Sequence, residues 1–262
     1  MIFDTHAHYD DKAFDEDRDS LIKSLSLNGI EAVVNVGAEL EGCKKTLELS
    51  KTYDNVYGAL GIHPDGISRL TEDDMNYLKT ECVENALYNG GKIVAVGEIG
   101  LDYFYPDPPK DIQIKWFRRQ LELAREVKLP IIVHSREAAQ DTYNVMKEFE
   151  AEKIGGIVHC YSYSVEMAKQ FLNMGFYFGI GGVLTFKNAK KLIEVVEFLP
   201  IDAIVLETDC PYLAPVPKRG TRNDSTNLNF VVEKIAQIKG ISDNEVIDIT
   251  NRNAKKVYRI IN

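Results

Sequence analysis

The chain has 262 residues, 45% of them hydrophobic, with 40 acidic against 31 basic side chains and a formal charge of −9. That length can bury one large core, and the acidic balance argues against the basic face that grips nucleic-acid backbone without discrimination. No window of about 18 uncharged apolar residues occurs and no basic, then apolar, leader opens the chain, so no membrane span is expected and the cytoplasm is the expected location.

The first element is a short apolar run, IFDTH (2–6), with His8 just beyond it. A segment of helical spacing follows, SLIKSLSLNG, closing at Asn28-Gly29. The pattern then repeats. AVVNVGA (32–38) precedes CKKTLELSKTY, VYGALGI (56–62) precedes DDMNYLKTECVENAL, and IVAVGEIG (93–100) precedes IKWFRRQLELAREV. IIVHS (131–135) leads to AAQDTYNVMKEFEA, GIVHCYS (156–162) to SVEMAKQFLNMG, FYFGIGG (176–182) to AKKLIEVVEFL, and AIVLETD (203–209) to LNFVVEKIAQIKG and ISDNEVIDITNRNAKKVYRII. The runs are rich in β-branched and aromatic residues, whereas the intervening segments carry apolar residues at i, i+3 and i+4. Eight strands alternating with helices predict a parallel sheet with crossover helices. No linker or low-complexity tract divides the chain, so residues 1–262 are expected to form one domain. The simplest closed solution is an α/β fold of the (β/α)8, or TIM-barrel, type. An open doubly wound sheet is the alternative, but it usually carries a glycine-rich phosphate loop after its first strand, where this chain has histidines.

All five histidines fall at C-terminal ends of predicted strands: His6, His8, His63, His134 and His159. Residues i and i+2 of a strand share a face, so His6 and His8 point together, with Asp4 expected on that face one step deeper. Glu98 and Asp209 end the fourth and eighth runs. In a barrel these ends meet on the face that carries active sites. A lone histidine there is usually a hydrogen-bonded core or surface residue, and a lone acid a helix cap. Neither reading explains the convergence of all of them. Buried carboxylates need a partner, and a divalent cation is the natural one. His6, His8, Glu98, His134, His159 and Asp209 are six candidate ligands. That is more than one tetrahedral zinc requires and enough for two ions with Glu98 or water between them. Imidazole suits Zn, Ni or Fe, whereas carboxylate and water suit Mg or Mn.

The motifs FDTHAH, GIHP, VGEIGLDY, PIIVHSREA, GIVHCYS, GIGG, LETDCPYLAP, the following RG-x-RN and a late NRNAKKVY resemble the TatD family of metal-dependent deoxyribonucleases, within the amidohydrolase superfamily. They run from residue 2 to about residue 258. The six donors suggest two ions, Mg or Mn for activity with Zn or Ni possible as bound ions, and the acidic balance favours single-stranded over duplex ends, with no membrane and no obligate protein partner expected. The resemblance implies a TIM barrel, divalent metals and 3′-to-5′ hydrolysis of DNA. It also implies roles. His6, His8 and Asp209 would hold one metal, His134 and His159 the other, and Glu98 would bridge, with Asp209 as general base. Some amidohydrolases bridge through a carboxylated lysine, but Lys92 begins its run rather than ending it. The family usually has an acid and then a proline after Arg-Asn; here Asp224-Ser225-Thr226 follows Arg222-Asn223.

Further candidates surround the ligands. His63 resembles the family's phosphate-contacting histidine, or is a turn residue before Pro64. Arg136 could pair with a phosphate or cap the next helix. Lys218, Arg219 and Arg222 form a basic loop after the eighth run, with Arg222 assigned to substrate. Tyr103, Phe104 and Tyr105 could stack on bases or pack beneath their loop. Asp4 and Glu207 are expected either to orient imidazoles from behind or to be buried acids satisfied by backbone donors. The four cysteines show no C-x-x-C pairing, so they are expected to be reduced; Cys160 and Cys210 each follow a ligand and are expected to face away from it. Two rival functions remain: a carboxylic ester or amide hydrolase such as an aminoacyl-tRNA deacylase, and a non-catalytic metal- or nucleic-acid-binding protein.

Overall fold

The computed structural model describes residues 1–260. Strands β1 (Ile2–Ala7), β2 (Ile30–Val36), β3 (Val56–Leu60), β4 (Ile93–Asp102), β5 (Ile131–Arg136), β6 (Gly156–Val158), β7 (Tyr177–Ile180) and β8 (Ile204–Leu206) lie side by side in chain order, every neighbouring pair parallel. A parallel bridge from Ala7 to Cys210 brings the end of β1 beside the segment after β8, so the sheet curls into a nearly closed barrel. Around it run α1 (Arg18–Ser24), α2 (Leu40–Thr52), α3 (Glu72–Glu84), α4 (Lys110–Val127), α5 (Ala139–Glu148), α6 (Val165–Asn173), α7 (Lys190–Phe198), α8 (Leu228–Lys239) and α9 (Asp243–Val257). This is the TIM barrel expected from the alternating pattern.

The strands are apolar on both faces because both are covered. Their outward residues, such as Ile131, Val133, Ile99 and Leu101, join Phe117, Leu121 and Val195 from the helices in one cluster. Their inward residues, among them Phe3, Val34, Ala95, Ile132, Ile157 and Val205, form a second cluster within the barrel. Ala254, Val257 and Tyr258 join this inner cluster, and the Tyr258 hydroxyl donates to the Thr5 carbonyl at 2.7 Å. The region of α9 therefore closes the end of the barrel opposite the strand C-termini. Capping boxes start α3 (Thr71 with Asp74) and α9 (Ser242 with Glu245).

Three strands depart from the sequence expectation, and each departure bears on the site. β4 runs two residues past Gly100, carrying Asp102 to the mouth. β6 and β8 stop early, so His159, Glu207 and Asp209 sit on the turns that follow. β1 shifts register between Asp4 and Ala7. Phe3 packs inside the barrel, so Asp4 faces outward, and the irregularity resets the phase before His6. Such bulges redirect side chains beside active sites.

Candidate metal centre

The turns at the strand C-termini bring His6, His8, Glu98, His134, His159 and Asp209 together. His8 Nδ1 lies 2.8 Å from the Val36 carbonyl. A carbonyl only accepts, so Nδ1 carries the proton and Nε2 is left facing the centre. There it stands 3.1 Å from His6 Nε2. Two imidazole lone pairs at that distance repel unless a proton or a cation lies between them. Asp209 Oδ1 approaches both rings, at 3.3 Å from His8 Nε2 and 3.8 Å from His6 Nε2. Its backbone is held in the left-handed region at φ +56°, and its N–H donates to the His6 carbonyl at 2.9 Å. Strained backbone of this kind persists where surrounding contacts over-determine it.

Glu98 divides its two oxygens. Oε2 is 3.4 Å from His6 Nε2 and 4.0 Å from His8 Nε2, whereas Oε1 is 2.6 Å from His134 Nδ1 and 3.7 Å from His159 Nε2. His159 stacks on His6 with ring centroids 3.6 Å apart, and its centroid is 6.4 Å from that of His134. Ligand atoms compact enough to share an ion occur in the sets His6–His8–Asp209 and His6–Glu98–His159; His134 and His159 meet through Glu98 Oε1 rather than directly. The chemistry of this donor set fits divalent cations: imidazole nitrogens and carboxylate oxygens converge on one place.

The electrostatics agree with that fit. Burial disfavours a charged Glu98, yet the His159, His134 and His6 rings outweigh it and hold the carboxyl well below its usual range. Burial likewise opposes charge on His134, but Glu98 and Asp102 lift its pKa to about 9. For His159, Glu207 and Glu98 overcome burial to give about 9, and for His8, Asp209 and Glu98 give about 10.

The two acids expected behind the imidazoles part company. Glu207 Oε1 lies 3.1 Å from His159 Nδ1 and accepts the Cys160 N–H at 2.6 Å. A Cβ at Gly179 would overlap this carboxylate, so glycine makes its room. Asp4 contacts no imidazole ring. It accepts from His6 N–H at 3.3 Å, Thr208 N–H at 3.0 Å, Thr208 Oγ1 at 2.7 Å and Ser225 Oγ at 2.7 Å. The register shift in β1 turned it away from the face it was expected to share with His6. The Asp224-Ser225-Thr226 segment thereby acquires a role. Ser225 links Asp4 to Tyr9, whose hydroxyl accepts the Ser225 N–H at 3.0 Å, a donor that proline would lack.

The centre opens into a cavity of about 780 Å³ lined by His63, Arg136 and Tyr105 as well as by ligand candidates. His63 Nδ1 accepts the Asp65 N–H at 3.2 Å, so its proton sits on Nε2. Burial and the neighbouring His134 depress its pKa to about 4. Arg136 lies over the Phe104 ring, 3.7 Å from its centroid. Tyr103 turns from the cavity to donate to Asp141 at 2.9 Å. The basic loop is a correction. Neither Lys218 nor Arg219 lines the cavity, and Arg219 covers Phe186. Arg222 grips both oxygens of Asp17 at 2.7 and 2.6 Å and covers Phe14; its charge is spent on that clamp and does not line the cavity. Burial raises the Cys160 and Cys210 thiols well above their usual range, so neither is an activated nucleophile.

Sequence reasoning missed Asp102, 3% exposed, with Oδ2 3.1 Å from His134 Nε2. Its signal was the strand period: it lies four residues beyond Glu98 and shares its face. Also missed were Asp10, Asp11, Glu39 and Asp65 on the cavity wall.

A profile for TatD related DNases matches residues 3–259. An uncharacterized metal-dependent hydrolase of Bacillus subtilis, YabD, is 42% identical over 99% of this chain and 100% of its own length. YcfH of Escherichia coli, also described as an uncharacterized metal-dependent hydrolase, is 31% identical over 99% and 96%. Among solved structures, the TatD homologue YjjV of Escherichia coli superposes with a TM-score of 0.91 at 28% identity, covering 99% of this chain and 98% of that one.

Proposed function

This chain belongs to the TatD-related family of metal-dependent hydrolases, and from that premise we propose that it is a 3′-to-5′ exonuclease acting on single-stranded ends of DNA. The observation that carries the reading is Glu98, whose two oxygens face different imidazole groups. On this reading His6, His8 and Asp209 would hold one divalent ion, His134 and His159 would hold a second, and Glu98 would belong to both groups. Mg or Mn serve activity, with Zn or Ni able to occupy the same donors. When bound, such a pair acidifies water and neutralises charge on a phosphoryl group.

The chain's own residues do the rest. Asp209 lines the cavity beside both groups and takes the proton of the attacking water as general base. A P–O bond forms to that water while the bond to the 3′ oxygen breaks, and the proton passes on to the departing oxygen. Arg136, its guanidinium held over the Phe104 ring, offers donors to the non-bridging phosphate oxygens. His63, neutral at ordinary pH, donates from Nε2.

Strand preference follows from charge. Among the described residues, Arg136 is the one Lys or Arg on the cavity wall, which it shares with Asp10, Asp11, Glu39 and Asp65. That wall repels a long duplex, whose binding needs many cationic contacts along its backbone. The same acids favour one second reading, an aminoacyl ester whose ammonium group they would attract. The test is a 5′-labelled oligonucleotide given to metal-stripped protein reloaded with single metals. A ladder of stepwise shortened products is expected. No ladder with any metal, alongside rapid hydrolysis of an aminoacyl ester, would favour the second reading. Cytoplasmic residence is part of the proposal: all four cysteines are unpaired, and among the described residues no helix is long and apolar enough to cross a membrane.

A further inference from the structure

The geometry points to Asp102 as a positioning residue that fixes which nitrogen of His134 faces the metal centre and ties that ring to the loop at the cavity mouth. The inference rests on the metal reading above.

Asp102 is itself held on every side. Gln113, 1% exposed, accepts the Asp102 N–H at 2.8 Å and donates from Nε2 to the Asp102 and Pro108 carbonyls, both at 2.7 Å. The carboxylate then has two duties. Oδ1 accepts the Phe104 N–H at 2.9 Å, and Oδ2 stands 3.1 Å from His134 Nε2. Each nitrogen of the His134 ring faces a carboxylate, and it is Glu98, on the Nδ1 side, around which the other donors converge. With a cation held on that side, Nδ1 would be the ligating nitrogen and Nε2 would donate to Asp102, 3.1 Å away.

Without Asp102 nothing selects this tautomer, because an imidazole free to rotate presents either nitrogen. The same carboxylate anchors the start of the segment bearing Phe104, and the Tyr103 N–H donates to the Arg136 carbonyl at 2.8 Å. The orientation of a ligand and the placement of the Arg136–Phe104 stack therefore share one support. His63, Asp102 and His134 Nε2 are also compact enough to hold an ion of their own. His134 could serve both places only by losing both ring protons, so the acceptor role of Asp102 is preferred.

Two measurements test this. In zinc-loaded wild-type protein, a long-range 1H–15N spectrum should show His134 protonated at Nε2 and metal-bound at Nδ1; the reverse assignment would overturn the inference. Zinc titration into metal-free Asp102→Asn protein should show one of two sites weakened about 10- to 100-fold, as for other partners of metal-bound histidines. The other site should stay within about twofold of wild type, whereas a purely structural lesion would weaken both alike. Unchanged affinities in Asp102→Asn would refute the positioning role while leaving the metal reading intact. A wild-type protein that binds zinc without engaging His134 would defeat the metal reading first, and a third equivalent bound at His63 would replace the proposed role with a cation site.

Discussion

Glu98 Oε1 meets His134 Nδ1 at 2.6 Å while the other oxygen of the same carboxylate turns to His6. One side chain thus belongs to two groups of donors. On the proposed two-ion reading, Glu98→Ala should lower the content of both ions, measured by elemental analysis after dialysis. Activity should fall by more than the roughly 10- to 100-fold typical of losing a ligand's partner. The barrel should still fold, because Glu98 lies at the mouth and not among the apolar contacts of the core. Full activity in this variant would exclude a shared carboxylate.

Metal uptake should expel protons. His8, His134 and His159, with pKa values of about 10, 9 and 9, are cationic at pH 7.5 in the metal-free protein, and each must be neutral to ligate. Calorimetric titration in buffers of different ionisation enthalpy should therefore report about three protons released per chain. The sign for stability follows. These values lie above the ordinary 6.5, so the fold holds the protons more tightly than the unfolded chain does. That contribution is complete below about pH 6.5 and is lost as pH rises through 9 to 10. Metal-free protein should melt at lower temperature at pH 10 than at pH 7.

Arg136→Ala should lower kcat/KM by about tenfold to a hundredfold, the scale of one charge-assisted hydrogen bond, with metal content unchanged. An effect on metal content would mean that Arg136 supports the ligands instead of the substrate.

Arg222→Ala should behave differently. Its guanidinium serves Asp17 at an exposed site, so stability should drop by no more than about 1 kcal/mol and KM should stay within about twofold. A large rise in KM would return Arg222 to the substrate.

Ser225→Ala removes a buried donor from Asp4 and a partner from Tyr9. Denaturant unfolding should show a loss of about 1–3 kcal/mol. A smaller loss would mean that water replaces the hydroxyl.

How much of this the sequence discloses depends on how far each signal reaches. The strand period places His6 and His8 together, and strand ends of a barrel converge whatever the loops do, so the donor set was legible. Asp4 obeyed the same period on paper, but a register shift is a property of two paired strands and leaves no mark in one. Arg222 looked like a cation awaiting phosphate because its partner, Asp17, is 205 residues away. Asp102 was hidden by a boundary: with β4 ended at Gly100, it read as loop. Gly100 lets β4 continue flush against β5, since a Cβ there would overlap the His134 carbonyl.

The seam of the barrel has a consequence for the timing of activity. His6 and His8 come from β1 and Asp209 from the turn after β8, and they meet only when the last strand reaches the first. A chain emerging from the ribosome therefore carries an incomplete donor set until roughly 210 residues have been made and folded. The donor set is therefore one of the last parts of the barrel to be completed, and it forms only as the seam closes.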